Sequence, residues 1–150
     1  MKKLLLLAAV AVSLSGCDFA GASEGAAFPA ASIQITNLPA SYADDDGGFD
    51  LVIDVRNAAG RAYFRAEQRV NSAEELARGV DVAVNAAQSI PFSTMPLFVG
   101  VYETDGDDTS ARIMAVSQSF TVEQLAAAQA PLQLGTLRGS ASFRIARDAR

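Results

Sequence analysis

Apolar and polar residues alternate with a period of two along most of the chain beyond residue 32, and this pattern constrains the fold more than any other feature. In the segment GFDLVIDVRN, every second residue from Phe49 to Val55 is apolar, and two aspartates lie between them. Such alternation is typical of β-strands that bury one face. It predicts about eight short strands, in the segments SIQITNLP, GFDLVIDVRN, RAYFRAEQRV, VDVAVNA, PLFVGVYE, ARIMAVSQSF, LQLGTL and SASFRIA.

Turn signals separate these segments and indicate how they are connected. The sequence NAAG, residues 57–60, joins two alternating segments and predicts a β-hairpin. Repeated short strands with turns between them are the pattern of an antiparallel sandwich. We therefore predict an all-β fold, an antiparallel eight-stranded β-sandwich of a single domain, formed by residues 32–150.

Two short helices interrupt the strands, and their ends carry recognisable signals. In NSAEELARG, Ser72 and Glu75 have the spacing of a capping box, and Gly79 supplies a stop. The segment SFTVEQLAAAQAP has a capping box, a hydrophobic staple and a proline that prevents continuation, at Thr121 and Gln124, Phe120 and Leu125, and Pro131.

The amino terminus predicts export and lipid attachment. Residues 1–16 combine two lysines with a short apolar run, as in a secretory signal peptide, and the run is shorter than the roughly 20 residues of a membrane-spanning helix. The sequence LSGC, which ends at Cys17, resembles the lipobox of bacterial lipoproteins. That resemblance implies cleavage before Cys17, acylation of this cysteine and a membrane anchor outside the cytoplasm, in the inner or the outer membrane. Residues 17–31 are small and aperiodic, and we predict a flexible tether.

Charge and composition exclude several classes of function. Without the signal peptide, the chain has ten arginines against 17 acidic residues, a net charge of −7, which argues against nucleic acid as a partner. The chain contains no histidine, so catalytic triads and histidine zinc sites are excluded. Oxygen ligands remain, and they suit calcium or magnesium. We expect a protein that is not an enzyme, with a small carboxylate-dependent hydrolase as the alternative.

Two acidic segments are the main candidates for a functional site. They are ADDDGGFD, residues 43–50, and ETDGDD, residues 103–108, and each lies in a loop beside a predicted strand. If both loops fall at the same end of a sandwich, their carboxylates repel one another, and a bound divalent cation relieves that repulsion. Asp and Gly are also common in solvated turns that bind nothing, so the sequence leaves both interpretations open.

The order of these features resembles that of C2 domains, which are eight-stranded sandwiches that bind calcium through aspartates of paired loops. The acidic loop is followed by FDLVIDV, and a later strand ends in alternating acids before IMAVSQSFTVEQL. The proline and aromatic residue typical after the aspartate of the second strand are absent. Immunoglobulin-like and transthyretin-like topologies are the alternatives. The resemblance implies possible calcium ligands at Asp44, Asp45, Asp50, Glu103, Asp105 and Asp108.

Together these features predict a cell-envelope lipoprotein held to a membrane through lipid on Cys17. We expect it to act as a non-catalytic binding or structural module, with calcium as a possible stabilising ion and another envelope protein as a possible partner.

Overall fold

The computed structural model describes residues 25–85, 89–90, 95–104 and 111–148. Within these residues the chain forms eleven β-strands, two α-helices and one 3-10 helical turn at Ala40–Tyr42. The strands are β1 (Ala26–Ala27), β2 (Ala31–Thr36), β3 (Phe49–Asn57), β4 (Ala62–Val70), β5 (Val80–Val84), β6 (Ser89–Ile90), β7 (Leu97–Glu103), β8 (Arg112–Ser117), β9 (Leu132–Leu134), β10 (Thr136–Arg138) and β11 (Ser142–Arg147). The helices are α1 (Ala73–Arg78) and α2 (Val122–Ala127).

The strands form two antiparallel sheets. One has the order β10-β8-β7-β3-β4, the other has the order β5-β2-β11-β9, and β1 pairs separately with β6. Every pairing is antiparallel. The predicted antiparallel all-β class with two short helices is therefore confirmed.

A single hydrophobic core joins the two sheets, as the alternating pattern requires. Alternate residues of the central strands point inward and are at most 1 % exposed. Removing each such side chain from water contributes about 1.5–3 kcal/mol to folding. The inward residues of the four central strands are Ile33, Ile35, Leu51, Ile53, Val99, Val101, Phe143 and Ile145.

The segment LQLGTL, expected to be one strand, is divided between the two sheets. β9 pairs with β11 in the four-stranded sheet, whereas β10 pairs with β8 in the five-stranded sheet. The chain crosses between the sheets at Gly135, whose carbonyl oxygen accepts a hydrogen bond from the Gln118 amide at 2.7 Å. Periodicity alone does not reveal this crossing, because both halves keep the alternation of a strand.

The folded domain begins before residue 32, where the sequence predicted its start. Ala26 and Ala27 pair with Ile90 and Ser89, and Phe28 is 6 % exposed, with its ring in an edge-to-face contact with Phe120 at 6.3 Å. The last residues of the predicted tether are therefore part of the domain. The rest of that tether, the predicted signal peptide and Cys17 lie outside the described residues.

Both helices begin where the capping signals predicted. The Ser72 hydroxyl accepts a hydrogen bond from the Glu75 amide, but the Glu75 carboxylate accepts from the Asn71 amide, one residue before the expected partner. The second box, between Thr121 and Gln124, is complete. Gly79 ends α1 with a φ of 101°.

Strand direction gives the domain two distinct ends. β2 begins at Ala31 and ends at Thr36, and in the adjacent strand Arg147 lies opposite Ala31 while Ser142 lies opposite Thr36. We call the end with Ala31 and Arg147 the entry end, since the chain enters the fold there, and the opposite end the acidic end. None of the helices in the described part of the chain is long and apolar enough to cross a membrane.

Candidate functional site

The first acidic segment forms a tight turn at the acidic end, between β2 and β3. The Asp44 amide donates to the Gly48 carbonyl oxygen, and the Gly47 amide donates to the Asp44 carbonyl oxygen, both at 2.8 Å. Gly47 has a φ of 78°, a conformation that glycine adopts without steric cost. The Gly48 amide donates to Asp46 Oδ1 at 2.9 Å, so the side chain of the turn also braces its backbone.

Arg69 of β4 binds three carboxylates of this region. Its Nη1 donates to Asp44 Oδ2 at 2.6 Å and lies 2.9 Å from Asp50 Oδ2. Its Nη2 contacts both oxygens of Asp46, at 2.8 and 2.6 Å. The planar guanidinium has several fixed donors, which suits simultaneous contact with several carboxylates. We call Arg69 with Asp44, Asp46 and Asp50 the Arg69 cluster.

Gly48 makes room for the guanidinium of this cluster. A Cβ atom at this position would lie 2.6 Å from Arg69 Cζ and 3.0 Å from Arg69 Nε. Real Cβ atoms do not approach other atoms so closely, so any side chain at residue 48 has to displace Arg69. The glycine is therefore required by the packing of the arginine across it.

The pKa shifts in the cluster agree with this geometry. The carboxylates raise the pKa of Arg69, with the hydrogen bond to Asp44 as the largest cause and the bond to Asp50 next. The pKa of Asp46 is lowered, first by the hydrogen bond from the Gly48 amide and then by the charge of Arg69. Both shifts favour the ionised forms.

The two acidic segments leave the sheet at the same end, as calcium binding by paired loops requires. Residue 104 directly follows β7, and Asp50 lies at the start of β3. The amide and the hydroxyl of Thr104 both donate to the Asp50 carbonyl oxygen, at 2.9 and 3.2 Å. The segment that follows Thr104 therefore begins beside the Arg69 cluster.

The structure brings together only some of the residues expected as calcium ligands. Asp44 and Asp50 meet at Arg69, and Asp45 is exposed and takes no part in the Arg69 cluster. Glu103 is fully buried and lies opposite Leu51, on the core face of the sheet. Asp105 and Asp108 lie outside the described residues. Within the parts of the chain that are described, no group of three or more acidic side chains is arranged to hold a metal ion.

Sequence reasoning missed two members of the cluster, Arg69 and Asp46. A regular hairpin around residues 57–60 would place Asp50 opposite Gln68 and direct Arg69 to the other face. A β-bulge between Val55 and Arg56 shifts the register by one residue, and Asp50 then lies opposite Arg69. The signal was the basic residue near the matching position of the hairpin, but the bulge decides whether it is used.

A second ionic group lies on the outer face of the same sheet. Asp54 is only 4 % exposed, and its carboxylate forms a two-point ion pair with the Arg56 guanidinium, with Nε donating to Oδ1 at 2.8 Å. The guanidinium lies 4.4 Å from the Tyr102 ring centroid. Burial raises the pKa of Tyr102, and the charge of Asp54 adds to this effect. The hydrogen bond to Asp54 likewise raises the pKa of Arg56.

An open groove of about 800 Å³ lies at the entry end. Its walls are mostly backbone and small side chains from the start of the domain, the segment after α2 and the end of β11. Arg147 spans part of it, since its Nη1 donates to the Ala126 carbonyl oxygen at 2.5 Å. The groove is separate from the acidic end, because it lies at the opposite end of β2 and β11.

Comparison with known proteins finds little similarity. No protein-family model matches the chain, and no curated protein matches it. One similar solved structure is that of the two tandem C2 domains of extended synaptotagmin 2, with 10 % sequence identity and a TM-score of 0.47. The match covers 97 % of this chain and 49 % of that chain, so this chain spans about half the length of that structure. At this level the likeness carries no functional information, and the β-sandwich is established by the two sheets and their common core.

Proposed function

We propose that this chain is a lipid-anchored, non-catalytic binding module of the cell envelope, which presents the loops of its acidic end to another envelope component. The anchor is the lipid expected on Cys17. In this proposal Arg69 supplies the positive charge that the acidic loops need, and it holds them in one conformation for recognition.

The observation that carries this proposal is the direction of β2. The chain enters the fold beside Ala31, and β2 then delivers it to the acidic end after Thr36. Six residues of strand span about 20 Å at 3.3 Å per residue. The acidic loops are therefore separated from the anchored end of the domain by the length of the sandwich. Such loops on a rigid scaffold are well placed for binding.

The electrostatics of the cluster favour binding over acid catalysis. A carboxyl group that acts as a general acid needs a raised pKa, as in glycosidases. The pKa of Asp46 is instead lowered, because the Gly48 amide and Arg69 stabilise its ionised form. Carboxylates of this kind act as charged acceptors and are weak proton donors.

Calcium stabilisation at the acidic end is the second candidate function. Two observations favour it: Thr104, which precedes the second acidic segment, is bonded to Asp50, and Asp44 Oδ1 is a buried atom with no hydrogen-bond partner among the described residues. A calcium ion that used Asp44 and Asp50 would compete with Arg69 for the same oxygens. The two candidates therefore make different predictions for a variant that lacks Arg69.

The anchor and the binding end are tested separately in cells. Mass spectrometry of the mature protein should find an acylated amino terminus at Cys17, and Cys17→Ser should release the protein from the membrane fraction. A photo-crosslinking residue placed at exposed Asp45 should capture one discrete envelope component. The matched control places the same residue at exposed Ala59, in the turn at the entry end. Equal capture at both positions, or none at residue 45, would contradict the binding proposal while leaving the anchor intact.

A further inference from the structure

The long edge of the five-stranded sheet is the feature that the proposed function does not explain. β4 pairs with β3 on one side, and no described strand pairs with its other side. It has nine residues, whereas the opposite edge strand, β10, has three. An open strand edge presents unpaired backbone donors and acceptors, and proteins commonly protect it by shortness, bulges or charges of one sign. β4 is long, and its only register shift lies near its first residues.

The charges along β4 alternate in sign. Arg65 and Glu67 have side-chain exposures of 61 % and 74 %, and the half-buried Ala66 lies between them. Charges of one sign at both positions would repel a second copy of the same strand. Opposite charges two residues apart instead make the strand complementary to itself in the antiparallel direction.

We propose that two copies of this chain associate through β4, with the two strands antiparallel and a twofold axis through Ala66. A twofold interface places residue i of one copy against residue j of the other, and residue j against residue i. In this register Arg65 of each copy lies opposite Glu67 of the other, which forms two cross-strand pairs of opposite charge. Such pairs stabilise antiparallel strands, and like charges in the same positions destabilise them.

The remaining positions of this register are compatible with the pairing. Phe64 falls opposite Gln68, and both are half-buried, so neither places a bulky exposed group at the joint. Arg61, which is exposed just before β4, falls opposite Asn71 of the other copy. It thereby adds a positive charge at the end of the strand that carries the Arg69 cluster. The charges of the two copies are complementary along the whole joint.

The twofold axis also fixes how two anchored copies can pair. Antiparallel strands put the entry end of one copy beside the acidic end of the other. Eight residues separate Cys17 from Gly25, and an extended chain of that length spans at most about 29 Å. Two copies on one membrane therefore pair with β4 lying along the membrane surface. The acidic ends then face sideways and stay accessible.

Charge reversal tests the interface on residues 18–150, which contain every described contact and the continuous core. Sedimentation velocity should show a dimer whose fraction rises with concentration. Glu67→Arg and Arg65→Glu should each weaken association by about tenfold or more. The double variant should restore it, and a mixture of the two single variants should form a heterodimer. A monomer at all concentrations, or a dimer that ignores these reversals, would overturn the proposal.

Cysteine crosslinking tests the register independently. Residues 18–150 contain no cysteine, so one can be introduced without interference. Ala66→Cys lies on the axis and should form a disulfide-linked dimer under mild oxidation. Gln68→Cys, at a similarly half-buried position, falls opposite Phe64 and should stay monomeric under the same conditions. Equal crosslinking of both variants would overturn the proposed register, and failure of Ala66→Cys to crosslink would overturn the interface.

Discussion

Asp50 on β3 lies directly opposite Arg69 on β4, and Asp50 Oδ2 is 2.9 Å from Arg69 Nη1. This pairing connects the sheet to the acidic turn, since the same guanidinium also binds Asp44 and Asp46. One arginine therefore decides whether the acidic end is a closed, ordered structure or a set of mutually repelling carboxylates.

Loss of Arg69 should destabilise the domain. In Arg69→Gln, three carboxylates lose their positive partner, and we expect the melting temperature to fall by a few degrees. The loss should shrink at high salt, because salt screens repulsion between exposed charges. The matched control is Arg65→Gln, which removes only an exposed pair with Glu67 and should change the melting temperature little. Equal losses in the two variants would contradict a special role for Arg69.

Gly48→Ala should reproduce much of this loss without removing a charge. The added methyl group has to push the Arg69 guanidinium away from the aspartates. If this is the cause, the substitution should cost little in a chain that already carries Arg69→Gln, because the clash is then gone. Melting temperatures of the two single variants and the double variant give this coupling. Additive losses would place the cost of Gly48→Ala elsewhere.

Acid should weaken the cluster in a defined range of pH. The pKa of Asp46 is lower in the folded chain than in the unfolded chain, where it is near 4. Its contribution to stability is therefore complete above about pH 4 and is lost as the pH falls through the folded pKa. Asp46→Asn should remove this part of the acid dependence. Melting curves from neutral pH to about pH 2 that fall in parallel for both proteins would exclude the effect.

The two partners of the buried ion pair should differ in their cost on removal. Arg56→Met leaves the buried Asp54 carboxylate without its partner, whereas Asp54→Asn leaves Arg56, whose side chain is 31 % exposed and reaches water. We expect Arg56→Met to cost about 2 to 3 kcal/mol, below the range for fully buried pairs, and Asp54→Asn to cost less. Denaturant unfolding measures both free energies, and the reverse order would contradict this account.

The fold could be predicted from the sequence where one face of a strand is buried. The alternation from Phe49 to Val55 survives in the structure because inward residues must be apolar. Small residues carry no such signal, so the pairing of Ala26 and Ala27 with β6 and the burial of Phe28 were missed. The crossing at Gly135 was missed for another reason, because a strand that changes sheets keeps its alternation.

The candidate site was predictable only in part. Acidic turns mark the loops, and antiparallel pairing of β3 with β7 brings the two segments to one end. Which cation balances the charges depends on register, since the bulge after Val55 brings Arg69 opposite Asp50. Glu103 follows the same alternation as Val99 and Val101 and therefore points into the core. The acidic pattern alone gave no indication of that direction.

The most direct test of the account asks whether Arg69 or a metal ion supplies the positive charge at the acidic end. Residues 18–150 and the Arg69→Gln variant would be melted at fixed ionic strength in chelator, magnesium and calcium. A ligand that binds only the folded state raises the melting temperature. We predict no calcium-specific rise for the unaltered chain and a rise for Arg69→Gln, in which the aspartates are free to bind the ion. A calcium-specific rise in the unaltered chain that Asp44→Asn abolishes would contradict the account and identify the acidic end as a calcium site.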